Sequence, residues 1–301
     1  MSRSHSREFF FKYVTADTAE KILESGKLLW RAPHLFNDPF DHQVTYRFPF
    51  SGDEAAEKLY EAQVKFIFEN DEPVMVQQKT LGLLSLVLRK RQLKGAAKED
   101  ALQSLLIGAN ETAGRLEQFQ NDFNSTLVNL LSHSRVLCVS ETNENVVMWS
   151  HYSEEHRGAV IKLNCVDALD DNLLIARQVS YTDTFPDFIS VDDWVAGHLG
   201  LTTIDYQRMA FDLAYIKHKD WSYEREWRVH IPLLPTEPVG DGTSLYLKHP
   251  ETFGALYLGC RMPMDKQLRL IEIASRRYPL MEIYRSLQSK SSFTLEFERI
   301  K

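Results

Sequence analysis

Tyr223-Glu-Arg-Glu-Trp-Arg-Val-His230 alternates residue character with a period of two, the repeat of a strand and not of a helix. On a strand, Glu224, Glu226, Arg228 and His230 share one face, while Arg225, Trp227 and Val229 share the other. A row of two carboxylates, a guanidinium and an imidazole is costly to bury. It must be ion-paired, form a site, or lie in water. The adjacent Trp221 and Trp227 speak against a fully wet face.

Other short β-rich runs surround this one: Phe9–Val14, Val136–Ser140, Ala159–Leu163, Gln178–Tyr181, Ser244–Leu247, Ala255–Leu258, Met281–Tyr284 and Phe293–Phe297. Helical spacing marks Thr15–Leu29 with a stop at Gly26, then Val146–Tyr152, Ile204–Lys217 and Met264–Arg277. Strands and helices do not alternate regularly. An α+β fold with a mixed or antiparallel sheet is therefore expected, not a doubly wound one. Between Asp53 and about Ser134 the pattern turns helical, with about four helices, one of them the apolar Leu81–Leu88. The expected division is a core of residues 1–52 and 135–301, with 53–134 as a helical insertion. The basic segment Arg89-Lys90-Arg91…Lys94 inside it reads first as a solvated helix end and second as a phosphate contact.

With 301 residues, 44% hydrophobic and 26% charged, the chain can bury one large core or two modest ones. A net charge of −7 argues against a broad non-specific nucleic-acid surface. Cys138, Cys165 and Cys260 are odd in number and show no CxxC spacing. With a polar start and no secretory segment, they predict a reducing, cytoplasmic setting without disulfides or membrane association. No P-loop, GxGxxG, HExxH or Gly-x-Ser-x-Gly motif occurs, so a zinc hydrolase or a serine hydrolase is unsupported.

Two more segments mix polar and aromatic residues. In Leu35-Phe-Asn-Asp-Pro-Phe-Asp41, Asn37 and Asp38 before Pro39 favour a turn. Either Phe36 and Phe40 anchor a rigid loop that the two side chains close, or the loop offers carboxamide and carboxylate groups to a ligand. In Asn145-Val-Val-Met-Trp-Ser-His-Tyr152, a helix puts Met148, His151 and Tyr152 on one face beside Trp149. That helix is either a buried aromatic anchor or a wall for a planar ring.

Together, Phe11-Lys-Tyr13, Phe36-Asn-Asp-Pro-Phe-Asp41, Met148-Trp-Ser-His-Tyr152 and Tyr223-Glu-Arg-Glu-Trp-Arg228 resemble a widespread bacterial family catalogued only as a domain of unknown function. That family is often met near mobile-element and phage-defence genes. The opening Phe11-Lys-Tyr-Val-Thr15…Ile22-Leu-Glu-Ser-Gly-Lys-Leu28 is also similar to the start of nucleic-acid-modifying ADP-ribosyltransferases, with Tyr13 where those carry histidine. The second resemblance implies an ADP-ribosyltransferase-like core that uses NAD as substrate. Under it, Glu226, Glu224 and Tyr13 are the catalytic candidates: Glu226 serves the nicotinamide ribose, Glu224 activates the acceptor, and Tyr13 donates to a ribose hydroxyl. Lys12, Thr15, Asn37, Asp38, Trp149, His151, Tyr152 and Arg228 are the candidates for binding NAD. The acceptor would be nucleic acid or protein, and a toxin or defence effector with an antitoxin partner is implied. Two other classes stay open. One is a non-catalytic nucleotide- or partner-sensing module. The other is a nuclease holding Mg²⁺ on Asp38, Asp41, Glu224 and Glu226.

Overall fold

The computed structural model describes residues 3–41, 47–69, 90–169, 171–185, 187–234 and 236–301. Within these the chain is mixed α/β and divides into two compact units. The first comprises Met1–Gln43, Leu130–Thr184 and Ala214–Lys301; the second comprises Val44–Asn129 and Phe185–Leu213.

The first unit is built on an open, mixed, ten-stranded sheet. Its strands are β1 (Phe9–Val14), β2 (Lys27–Arg31), β3 (Ser134–Ser140), β4 (Ala159–Asn164), β5 (Arg177–Gln178), β8 (Glu226–Pro232), β9 (Thr243–Leu247), β10 (Phe253–Leu258), β11 (Glu282–Gln288) and β12 (Leu295–Arg299). Two further strands, β6 (Ser180–Thr182) and β7 (Ile216–His218), form a separate parallel pair. The main path runs β12-β11-β10-β4-β1-β3-β2-β9, and β8 lies between β3 and β5. Only β10–β11 is parallel within it; the other pairings are antiparallel.

One junction shapes everything that follows. β3 pairs with β8 along its whole length, from Ser134↔Pro232 to Ser140↔Glu226. A strand has two edges, so β1 and β2 must share the other one. β1 meets it at Phe11↔Ser140 and β2 at Arg31↔Val136. The sheet thus splits at β3, and the Lys12 ammonium spans the gap by donating to the Cys138 carbonyl at 2.7 Å.

Period-two alternation sorts side chains onto the two faces of this sheet. Phe10, Val14, Leu28, Trp30, Leu137, Val139, Ile161, Val229 and Leu256 build the main core. Two helices cover it, Ala16–Ser25 and Met264–Arg277, through Ala19, Ile22, Leu23, Leu270, Ile273 and Ala274. Thr15 starts the first helix by accepting the Thr18 amide, and Gly26 ends it in a left-handed conformation (φ 72°). The two helices are clamped by ion pairs from Lys266 to Asp17 and from Arg269 to Glu20 and Glu24. Phe11, Tyr13 and Val160 point to the opposite face, where Met148 and Trp149 of the helix Val146–Tyr152 cover them.

The second unit has its own core: Phe50, Ala55, Leu59, Ala109, Ala113, Leu116, Phe188, Ile189, Trp194 and Val195. They come from the helices Gly52–Val64, Ala96–Ala113, Leu116–Ser132 and Val191–His198 and the chain around them. The second unit therefore runs over 44–129 where the sequence suggests 53–134, and it also draws in Phe185–Leu213. The expected helix Leu81–Leu88 lies outside the described residues. Arg91 of the basic segment donates to the carbonyls of Ile67 and Phe66, closing a π-helical turn at Lys65–Glu69.

Two local expectations need correction, and one strand was not anticipated. The helix expected over Ile204–Lys217 spans only Tyr206–Leu213, because Ile216–His218 pairs in register with Ser180–Thr182 as β7. The helix stops at Gly26 as expected, and the stretch after it, to which the sequence assigns no element, forms β2 with Leu28 and Trp30 buried in the core. Glu224 is not on the strand: Lys219–Glu224 is a 3₁₀ turn, Arg225 is left-handed (φ 44°), and β8 begins at Glu226. The turn wins because its carbonyls are held from outside. The Ser140 hydroxyl donates to Glu224 O and the Asn145 amide to Tyr223 O.

After the helix Val146–Tyr152, Glu154, Glu155 and His156 are all left-handed, and the chain returns to β4 against Gly259. A Cβ at Gly259 would stand 2.2 Å from His156 O and 2.7 Å from Gly158 O, both backbone atoms that cannot step aside. Gly259→Ala should cost roughly 3 kcal/mol in urea denaturation. Gly108→Ala, inside a helix with open space around it, should gain about 1 kcal/mol instead.

Candidate functional site

β8 delivers Glu226, Arg228 and His230 to the face opposite the main core, while Trp227, Val229 and Ile231 pack into that core. Antiparallel pairing puts Ser140, Cys138 and Val136 of β3 beside them on the same face. The left-handed Arg225 then swings Glu224 back towards Glu226. β7 supplies Lys217, and the turn after Asp38-Pro39 supplies Asp41.

Five charged side chains meet there, none more than 8% exposed. Arg228 Nε and Nη2 donate to Glu226 Oε1 and Oε2 at 2.8 and 2.9 Å. Its Nη1 and Nη2 donate to Asp41 Oδ1 and Oδ2 at 2.8 and 2.5 Å, and Nη1 also donates to the Ala214 carbonyl. Lys217 Nζ lies 2.6 Å from Glu224 Oε2, 3.2 Å from Glu226 Oε2 and 3.6 Å from Asp41 Oδ2. The Tyr152 hydroxyl donates to Glu224 Oε1 at 2.5 Å, and the Asn37 side chain lies beside Tyr152. Tyr181 accepts the Glu226 amide at 2.8 Å.

The two glutamates are driven in opposite directions. Burial alone would raise the Glu226 carboxyl, but Arg228 and Lys217 outweigh it and hold that group well below the usual carboxylate range. Burial and the Glu226 charge together raise Glu224, against the pull of Lys217. Lys217 loses by desolvation and gains more from Glu226, Glu224 and Asp41, so its ammonium stays protonated. The Cys138 thiol is pushed up by burial and by the Glu226 charge. One ammonium therefore bridges a firmly ionised carboxylate and one that takes up a proton more readily.

Not every residue singled out by sequence belongs to this cluster. Glu224, Glu226, Tyr152, Asn37 and Arg228 do. Lys12 sits at the split in the sheet, its ammonium destabilised by burial and influenced by both glutamates. Tyr13 donates to the Thr142 carbonyl at 3.0 Å and meets Trp149 edge-on at 5.8 Å. Trp149 is fully buried, with its indole donating to Asn143 O, which leaves it no face for a ligand ring. The aromatic surface beside the cluster is instead Tyr223, Trp221 and His151, with His151 Nδ1 3.1 Å from the Tyr223 hydroxyl. Thr15 caps a helix, and Asp38 closes its own turn by accepting the Phe40 amide. Lys217 is the residue that sequence reasoning missed. Three acidic groups around one guanidinium imply a second cation, and Ile216-Lys-His218 alternates as a strand does, but its three residues are too short a signal.

Residues 148–229 match the model of a family described as a protein of unknown function (DUF2971). The matched span carries Tyr152, Lys217, Glu224, Glu226 and Arg228, together with Trp149 and Tyr181. No curated protein and no solved structure matches the chain. Among the described residues no group of three or more His, Cys, Asp or Glu side chains is arranged to hold a metal ion, and no helix is long and apolar enough to cross a membrane.

Removing one member of a buried, hydrogen-bonded ion cluster strands its partners. Arg228→Met should cost about 3–5 kcal/mol in chemical denaturation, and Asp41→Asn should destabilise through the same guanidinium. His230 gives a separate pH signature. Burial and the nearby Arg228 charge lower it from 6.5 to about 3, so the folded protein keeps it neutral. Its stabilising contribution is complete above pH 6.5 and declines as pH falls towards 3, by roughly 1 kcal/mol per pH unit. Between pH 6.5 and 5, the slope of stability against pH should shrink in His230→Asn relative to the parent protein.

Proposed function

We propose that this face carries out ADP-ribosyl transfer from NAD, with Glu224 at the reacting centre and Glu226 as its positioning residue. The observation that carries the reading is the opposed displacement of two carboxylates bridged by Lys217. Pairs of acids whose surroundings drive them apart are the pattern of acid–base chemistry.

Glu226 receives two hydrogen bonds from Arg228 and one from Lys217. Little capacity remains for a substrate, so its work is to hold both cations. Glu224 is bonded by Lys217 and Tyr152 and stands next to Tyr223, Asn37 and His151, the more accessible groups. The stacking surface for the nicotinamide ring would be Tyr223 and His151 and not the buried Trp149.

In the reaction, the bond between the nicotinamide nitrogen and the ribose C1′ breaks, and its electron pair leaves with nicotinamide. The sugar passes through an oxocarbenium-like state, which the Glu224 carboxylate stabilises. The acceptor nucleophile then attacks C1′ and gives its proton to Glu224. Tyr152 and Lys217 orient that carboxylate throughout.

The reading is tested by incubating the protein with NAD and either mixed nucleic acid or cell lysate, following nicotinamide release and label transfer. Glu224→Gln should slow release by about 10²–10⁴-fold while the protein stays folded. Because the base must be ionised, activity should fall as pH drops through the raised Glu224 value, on a limb lying above 4.5. Wild-type protein that releases no more nicotinamide than Glu224→Gln would end the proposal. The saturation of Glu226 and the burial of Trp149 favour a second reading, a sensor that binds NAD without turnover. It predicts a melting temperature raised by NAD, with the nucleotide recovered intact.

A further inference from the structure

The second unit contains a cavity that the reading above does not use. Its volume is about 560 Å³, within the roughly 300–1,000 Å³ usual for small-molecule sites. Leu116, Trp194, Gly197 and Ile204 form its floor, and Trp194 is only 2% exposed. Arg115, Phe119, His198, Thr202, Thr203 and Tyr206 form its rim.

The lining has two chemical characters. The first is aromatic: Trp194 and His198 lie 4.0 Å apart between ring centroids, and Phe119 and Tyr206 lie 5.3 Å apart. Trp194 is the buried base on which His198 packs, and the more exposed Phe119, Tyr206 and His198 offer faces and edges to a flat guest. The second is cationic. Arg115 is exposed, and among the described residues its guanidinium has no hydrogen-bond or ion-pair partner. It lies in the short link between the helix that ends at Ala113 and the one that starts at Leu116. Glu117 in the first turn does not line the cavity. A guanidinium without a carboxylate, set beside aromatic walls and threonine hydroxyls, is suited to an anion carried on a ring.

We propose that this bowl is a binding site for a small planar aromatic anion, with the ring held against Phe119 and Tyr206 and the anionic group held by Arg115. An aromatic carboxylate and a nucleoside monophosphate share this chemistry. The site lies wholly within the second unit and does not depend on the transferase reading.

The test is calorimetric titration of the full chain with indole-3-carboxylate and with AMP, alongside the uncharged indole and adenosine. At least one anion should bind with a dissociation constant below about 1 mM, and its neutral counterpart should bind about tenfold more weakly. Arg115→Gln, a change at an exposed position, should erase that preference without moving the melting temperature. Glu224→Gln should leave binding unchanged, which separates this site from the proposed catalytic face. Which anion binds identifies the source. The assignment is overturned if neither anion binds, if anion and neutral partner bind equally, or if Arg115→Gln retains full affinity.

Discussion

The Lys217 ammonium, held between Glu224 and Glu226 and within reach of Asp41, is the contact on which the candidate site depends. Three carboxylates cannot be withdrawn from water beside a single guanidinium. Arg228 alone leaves two negative charges uncompensated, and desolvation of each would exceed what one cation returns. Adding Lys217 reduces the excess to one. That remaining excess is shared by Glu224 and Asp41, both raised chiefly by burial and further by the Glu226 charge, while Glu226, held by Arg228 and Lys217 together, is lowered.

The architecture around the cluster follows from that requirement. β8 must run beside β3 for its full length so that the main core covers one face and the charges occupy the other. β7 must lie close enough for Lys217 to reach inward, and it does so by pairing with β6 immediately after β5. The left-handed Arg225 lets two glutamates separated by one residue converge on the same ammonium. Such a conformation is unfavourable for a non-glycine residue, and it persists because Ser140 and Asn145 hold the two carbonyls that precede it. Trp149 contributes at a distance. Buried and bonded to Asn143, it fixes the helix from which Tyr152 reaches Glu224.

Elements with a strong local signal could be read directly. Phe9–Val14 alternates large apolar groups with Lys12 and occurs as β1 with the expected bounds. Val146–Tyr152 is a helix from its Asn145 cap onward, and Gly26 stops the first helix as its freedom at positive φ allows. Short elements were not legible. Ile216–His218 has too few residues to show a period, and its strand character comes entirely from Ser180–Thr182, more than 30 residues earlier. The 3₁₀ turn at Lys219–Glu224 was hidden by an alternation that matches a strand equally well.

By itself, the amino-acid sequence determined that this chain is a mixed α/β protein, and that Glu224, Glu226 and Arg228 could not be buried without partners. Both conclusions follow from side-chain chemistry and from periods of a few residues, which are local properties. Which partners those groups found, and in which ionisation state each is held, was decided only by the tertiary structure. Asp41 and Lys217 are 176 positions apart in the chain, and only the closing of the sheet around β3 and β8 brings them to the same guanidinium and carboxylate. Burial supplies the low dielectric that makes those contacts strong, and no window of sequence contains it.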